Sequence, residues 1–184
     1  MTGAATTRVF FALWPDKAAA SRLHALARQL HARLGGRLMR EDSLHATLAV
    51  IGDIAPERVA ELRVAADAVR APGFQLAFDV AACWRHNHIA YLGMRRIPHA
   101  LHGLQADLAA RLRAAGFMLE ARVFSPHVTL LRKAECAEMA NSKMDKENPA
   151  TEPVAWAVRD FVLVRSSIGA NGSRYEQIGR WPLL

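Results

Sequence analysis

The sequence predicts a single α+β domain with largely antiparallel sheets. Three observations carry that expectation. Strand-like and helix-like stretches alternate along the 184 residues. The strand signals come in adjacent pairs between helices, which a strict βαβ series would not produce. No period of about 20 to 50 residues recurs, so a solenoid is excluded. The length suits one domain that can bury a real core.

Residues 8–14 are β-branched and aromatic and are stopped by Pro15, so they read as a buried first strand. Asp16 then caps a helix on which Leu23, Leu26, Leu30 and Leu34 recur at helical spacing, until Gly35 and Gly36 end it. A polar link over 40–43 leads into a strand over 44–51. Pro56 and Glu57 open a second helix, with Val59, Leu62, Ala66 and Val69 on one face.

Residues 74–83 and 89–94 read as two strands of a hairpin joined by the polar Arg85, His86 and Asn87. A third helix begins after Pro98, carries Leu101, Leu104, Leu108 and Leu112 on one face and stops at Gly116. Residues 117–124 and 126–132 are strand-like. Residues 134–153 are polar, mixed in charge and short of periodic apolar positions, which predicts a mobile loop. Residues 154–166 and 174–178 then form a closing hairpin across a turn at 169–172.

Composition narrows the function classes. Two cysteines, Cys83 and Cys136, exclude a disulfide-framed mini-protein, match no C-x-x-C spacing and cannot complete a cysteine-only metal site; a reducing cytoplasm is the expected setting. No apolar run approaches the roughly 20 residues of a helical membrane span, and the first residues lack the layout of a signal peptide. A net charge of +7 favours polyanionic partners such as nucleic acid. The basic residues are 20 Arg and 4 Lys, with no run of five like charges, so any phosphate-binding surface must be assembled by the fold.

One element repeats. Leu44-His45-Ala46-Thr47-Leu48 and Pro126-His127-Val128-Thr129-Leu130 share His-x-Thr-Leu, 82 residues apart and each within a strand-like run. Composition predicts on the order of 0.03 such tetrapeptides by chance, so two demand an explanation. Side chains two apart on a strand share a face, so each strand presents an imidazole beside a hydroxyl. An imidazole moves protons near neutral pH and a hydroxyl can bond a phosphoryl oxygen. Two such strands facing each other across a cleft would set one histidine as base on an incoming oxygen and the other as acid on a leaving oxygen, the need of an in-line displacement at phosphorus. That chemistry requires no metal and no cofactor. The remaining histidines read as surface: His86 and His88 in a hairpin turn, His99 and His102 on one helix face, His24 and His31 seven apart on the first helix, none with a third ligand of clear spacing.

With both motifs, the opening Arg8-Val9-Phe10-Phe11-Ala12-Leu13, the stretch Phe124-Ser125-Pro126-His127-Val128-Thr129-Leu130-Leu131-Arg132, and the closing Ser166, Gly172-Ser173-Arg174-Tyr175-Glu176 and Trp181-Pro182-Leu183, the chain closely resembles the 2H phosphoesterase superfamily. Within it the sequence is most similar to the LigT-like RNA 2′,3′-cyclic phosphodiesterases, also called 2′-5′ RNA ligases. The resemblance implies one bilobal domain over 1–184, two pseudo-symmetric lobes of roughly 90 residues with antiparallel sheets flanked by helices, and a central groove between them. It implies metal-independent opening of 2′,3′-cyclic phosphate RNA ends to 2′-phosphomonoesters, with reverse 2′-5′ ligation allowed.

By the same resemblance His45 protonates the departing 3′-oxygen, His127 activates water, Thr47 and Thr129 hold non-bridging oxygens and Arg132 neutralises the phosphate. Arg132 is an odd number of residues from His127, so it reaches the groove only where its strand ends, twists or bulges. Phe11 is a candidate to stack on a nucleobase. The expected partner is an RNA end or oligonucleotide bearing the cyclic phosphate, with no membrane and no obligate protein partner, the protein acting as a monomer. The competing readings are a phosphodiesterase for 2′-5′ oligonucleotides or small nucleotide cyclic phosphates, and a non-catalytic RNA-end binder.

Overall fold

The computed structural model describes residues 6–121, 123–139, 152–169 and 172–184. In chain order the elements are β1 (Thr7–Leu13), α1 (Lys17–Leu34), β2 (Arg37–Leu38), β3 (Ala46–Ile54), α2 (Val59–Asp67), β4 (Phe74–Phe78), β5 (Val80–Trp84), β6 (Ile89–Gly93), α3 (His99–Ala114), β7 (Val128–Arg132), β8 (Val154–Val158), β9 (Asp160–Gly169) and β10 (Gly172–Pro182). The expected α+β class holds, and every strand pairing is antiparallel.

The helices form where their punctuation predicts. The Asp16 carboxylate accepts from the Ala19 N–H at 2.7 Å, which satisfies a donor that the first turn of α1 leaves open. Gly35 ends α1 and Gly116 follows α3, both in the left-handed region that a glycine enters without a Cβ clash. Leu23, Leu30 and Leu34 of α1 and Leu101, Leu104, Leu108 and Leu112 of α3 are buried in one continuous core.

The strands build a sheet ordered β10-β9-β1-β3-β7-β6-β5, with β2 added on β7, and a two-stranded sheet of β4 and β8. Two expected long strands are each divided. The run over 74–83 breaks at Asp79, whose carboxylate accepts from the Arg95 N–H at 2.9 Å and whose own N–H donates to Gly93. The run over 154–166 breaks at Arg159. In both, the first half leaves the main sheet, and the two first halves pair with each other along Phe74–Phe78 and Val154–Val158. Local composition cannot reveal a change of sheet, because both halves remain strand-like.

Of residues 117–124, expected as a strand, the described residues 117–121 and 123–124 adopt no regular structure, and residue 122 lies outside the described residues. Both sides of β7 are already taken, by β6 on one and by β3 and β2 on the other, so this segment cannot pair with the strand it leads into. Phe117 instead buries its ring in the core. Of the expected loop over 134–153, residues 136–139 form a 3-10 turn; residues 140–151 lie outside the described residues, as do 170 and 171 of the closing turn. Cys83 and Cys136, whose spacing carried no signal, are joined as a disulfide across 53 residues, which corrects the expectation of two reduced cysteines: the fold brings together what the sequence keeps apart. Among the described residues no helix is long and apolar enough to cross a membrane.

The main sheet consists of two half-sheets that meet at one pair, Ala46 opposite Val128. The half around β3 takes β1, β9 and β10; the half around β7 takes β2, β6 and β5. The lobes are therefore interleaved in sequence: the β3 half takes the β9–β10 hairpin from the end of the described chain, and the β7 half takes β2 and the β5–β6 hairpin from before it. Period-2 geometry gives every strand at the seam two distinct faces. Val9, Phe11 and Leu13 of β1, Ala46 and Leu48 of β3, and Val128 and Leu130 of β7 enter the main core. Phe10 and Ala12 point the other way, into a small apolar cluster with Val162 and Val164.

Candidate functional site

The two repeated motifs cross at their centres. With Ala46 opposite Val128 in an antiparallel pair, the continuing register sets His45 beside Thr129 and Thr47 beside His127. Ala46 and Val128 point into the core, so the four polar side chains all emerge on the opposite face. The strands thus lie edge to edge in one sheet, rather than facing each other across a cleft as the sequence suggested. The two imidazoles occupy diagonal corners, and diagonal neighbours on a sheet lie about 7 Å apart, room enough for a tetrahedral phosphorus between them. Together with Arg132 and Tyr175 these four side chains line a cavity of about 230 Å³.

Arg132 reaches that cavity because β7 bulges. Against β6, Thr129 faces Tyr91 and Leu131 faces Ala90, so Leu130 has no partner of its own. Leu130 and Leu131 are consecutive yet both fully buried, the burial signature of an inserted residue. The extra residue reverses the parity and returns Arg132 to the side of His127 and Thr129. Gly36 completes the arrangement. It adopts φ +80, and a Cβ there would lie 2.6 Å from the carbonyl oxygens of Arg132 and Lys133. Only glycine lets the chain entering β2 close over the end of β7.

Both imidazoles are anchored alike. Nδ1 of His45 donates to the Ser43 carbonyl at 2.7 Å, and Nδ1 of His127 donates to the Ser125 carbonyl at 2.8 Å. A carbonyl oxygen has no proton to give, so Nδ1 carries the hydrogen and Nε2 is the nitrogen that gains and loses a proton. Aromatic rings fix the orientation. Phe10, Trp14 and Tyr175 surround His45, with centroids 5.0, 5.1 and 5.2 Å away. Trp84 and Tyr91 stand edge-on to His127 at 4.5 and 5.6 Å.

This packing has an electrostatic consequence. Loss of hydration lowers the His45 pKa from the usual 6.5 to about 4, and the positive charges of His127 and Arg132 push the same way, against the opposing Ser43 hydrogen bond. Among the described residues lining the cavity none is acidic. The site therefore offers an anion two imidazoles, two hydroxyls and a guanidinium without a competing carboxylate. A bound anion would in turn raise the proton affinity of His45.

His45, Thr47, His127, Thr129 and Arg132 thus converge as the sequence predicted. Phe11 does not. It is fully buried and packs against Phe161 and Trp181, with centroids 6.2 and 5.8 Å away, so it has no face for a base. Its neighbour Phe10 occupies the site side of β1, as strand parity requires. The sequence reading missed the aromatic walls, and it missed Asn87, which the β5–β6 turn brings to the cavity. One signal was available: a serine stands two residues before each motif histidine, so the repeat is Ser-x-His-x-Thr-Leu. Among the described residues no group of three His, Cys, Asp or Glu side chains converges as a metal site.

The disulfide lies just behind this wall. Cys83 precedes Trp84 in β5, and Cys136 Sγ lies 3.8 Å from the Trp84 carbonyl oxygen. It ties the chain that leaves β7 to the strand that carries one ring against His127.

Comparison with known proteins extends the picture. A family model described as LigT-like phosphoesterase matches the chain twice in succession, over residues 13–91 and 92–175, so each match contains one motif. The RNA 2′,3′-cyclic phosphodiesterase of Escherichia coli (strain K12) is 34% identical over 148 residues, 80% of either chain. The protein of the same name from Geobacillus stearothermophilus is 30% identical over 151 residues, which are 79% of this chain and 47% of that one. Among solved structures, E. coli LigT complexed with 3′-AMP superposes with a TM-score of 0.83 at 31% identity, covering 97% of this chain and 99% of that one. A Thermus thermophilus protein, TT0787, at 19% identity and a TM-score of 0.73, shares the fold over 95% of this chain and 97% of its own.

Proposed function

This chain belongs to the LigT-like phosphoesterase family, and from that premise we propose that it hydrolyses RNA 2′,3′-cyclic phosphate ends to 2′-phosphomonoesters, with His45 and His127 as acid and base. The observation that carries the proposal is the crossing of the two motifs at the Ala46–Val128 pair, which sets two identically anchored imidazoles diagonally about one anion site.

In this reaction the Thr47 and Thr129 hydroxyls and the Arg132 guanidinium hold the non-bridging oxygens of the cyclic phosphate. Nε2 of His127 takes a proton from water as its oxygen bonds to phosphorus. The P–O3′ bond breaks, and the 3′-oxygen takes a proton from Nε2 of His45, leaving the phosphate on O2′. His45 suits the acid role because its dry, positively charged surroundings make its imidazolium a strong proton donor. The incoming phosphate supplies the negative charge that loads it. Both protons are handled by imidazoles, so the step calls on no metal. A 5′-hydroxyl in place of water would form a 2′-5′ bond in the same geometry.

Every site residue named above comes from this one chain, which fits a monomer; an RNA substrate fits a cytoplasmic setting, and the Cys83–Cys136 disulfide argues against a fully reducing one. The test is incubation with EDTA and an oligonucleotide ending in a 2′,3′-cyclic phosphate, beside 2′-5′-linked oligonucleotides and mononucleotide cyclic phosphates. A 2′-phosphomonoester product is expected. Replacing either histidine with Ala should remove most of the rate, and replacing both little more, because acid and base act as a unit. Binding without turnover on every substrate would overturn the proposal.

A further inference from the structure

The two residues of β2 pair with the end of β7, and their register sets Arg37 directly opposite Arg132. Residues so placed on an antiparallel pair project from one face with Cβ atoms about 5 Å apart, and like charges there repel. Arg132 lines the motif cavity, so Arg37 stands on the same face, one strand over. Its side chain is exposed and reaches across to the last hairpin, where a Cβ on Gly172 would lie 3.1 Å from Nη1 of Arg37. Tyr175, further along the same strand β10, belongs to the cavity wall. Arg37 therefore stands at the end of the cavity, just beyond Arg132 and Tyr175.

The chain does not relieve this repulsion. Elsewhere on the main sheet, exposed arginines have carboxylate partners: Arg8 with Asp53 at 3.4 Å, Arg165 with Glu176 at 3.2 Å and Arg180 with Asp160 at 3.1 Å. Among the described residues, neither Arg37 nor Arg132 has an ion pair. Nor is their register incidental. Gly36, next to Arg37, packs against the Arg132 carbonyl where no Cβ fits, which holds β2 onto β7 at this pairing.

An anion resolves the repulsion, and an RNA end brings two. The cyclic phosphate takes the place between the histidines, with Arg132. The next charge on the strand is the phosphate on O5′ of the same nucleotide, which in RNA is the diester to the nucleotide before it. A guanidinium offers a fork of donors that fits phosphate oxygens.

We infer that Arg37 binds the phosphate on O5′ of the nucleotide that carries the cyclic phosphate. This rests on the reading of the motif site as the cyclic-phosphate site. The pair of arginines then reads two successive phosphates, and the protein favours the end of a strand over a cyclic phosphate on a nucleoside alone.

Calorimetric titration with an adenylyl dinucleotide ending in a 2′-phosphate, and with its counterpart carrying an uncharged methylphosphonate linkage, tests it. The charged dinucleotide should bind about tenfold more tightly, the factor that one charge-assisted hydrogen bond supplies. Arg37→Ala should bring the two within about twofold of each other and change the affinity for adenosine 2′-monophosphate less than twofold. Arg28→Ala, which removes the same charge from an exposed position on α1, should leave the preference intact. Adenosine 2′,5′-bisphosphate distinguishes the sources of the phosphate: a gain over the 2′-monophosphate assigns Arg37 to any O5′ phosphate, and no gain restricts it to a diester. Equal binding of the two dinucleotides by the unaltered protein, or an undiminished preference in Arg37→Ala, would overturn the inference. So would an equal loss on adenosine 2′-monophosphate, which would make Arg37 a support for Arg132. A protein that shows the preference yet turns over no cyclic phosphate would sink the hydrolase reading and leave Arg37 assigned.

Discussion

The indole of Trp14 lies nearly parallel to the imidazole of His45, with ring centroids 5.1 Å apart and planes 7° from coplanar. The stack shields one whole face of the histidine. Trp14→Ala should admit water there and raise the His45 pKa from about 4 toward its ordinary value, while the Ser43 hydrogen bond stays in place. Titration of the imidazole by NMR checks this; an unchanged midpoint would assign the shift to His127 and Arg132 instead.

The same group links stability to acidity. His45 titrates at about 4 in the folded protein and near 6.5 when unfolded, so the unfolded state binds the extra proton in that interval. Its contribution is fully present above pH 6.5 and is lost as the pH falls through about 4. The loss amounts to at most about 3 kcal/mol. Denaturant midpoints measured across this range should fall for the unaltered protein and fall less for His45→Phe. Parallel curves would contradict the assignment.

Gly36 lies against the backbone of Arg132. A Cβ at 36 meets the Arg132 and Lys133 carbonyls at 2.6 Å, and the φ of +80 disfavours any other residue. Gly36→Ala should cost about 1–3 kcal/mol of stability and raise KM for a cyclic phosphate about tenfold, with a smaller change in kcat. The KM effect should be absent in an Arg132→Ala background. Independent, additive effects of the two substitutions would separate Gly36 from Arg132.

The bond between Cys83 and Cys136 closes a loop of 53 residues. Its reduction should lower stability by about 2–4 kcal/mol. Thiol counting before and after reduction, paired with denaturant midpoints, is the measurement. Two reactive thiols in the untreated protein, or coincident midpoints, would refute the bond's structural role.

Sequence periodicity revealed most of this architecture because most of its determinants are local. Asp16, the leucine stripes of α1 and α3 and the glycines after them place the helices unaided. The repeated His-x-Thr-Leu exposes the heart of the site, since strand parity alone carries both polar side chains to one face. What escaped depends on pairing between distant strands. Asp79 and Arg159 divide two runs that look continuous, because strand-like composition persists when a chain changes sheets. Residues 117–124 have strand-like composition, but the strand they lead into, β7, is already paired on both sides. The cysteines are brought together by the end of β5 and the turn after β7. Phe11 and Phe10 differ only in parity, and the sequence alone does not say which face of β1 meets the site. Arg132 poses the converse problem, since its bulge is written in the register with β6.

The interleaving of the two half-sheets dictates when a working site can first exist. Tyr175 packs on His45 from β10, the last element the ribosome makes among those described, while Trp84 and Tyr91 wall His127 from the hairpin made before it. A nascent chain that has already exposed both histidines still lacks β9 and β10, and with them one side of the sheet against β1. The aromatic packing around His45 is therefore completed only when β10 has been made.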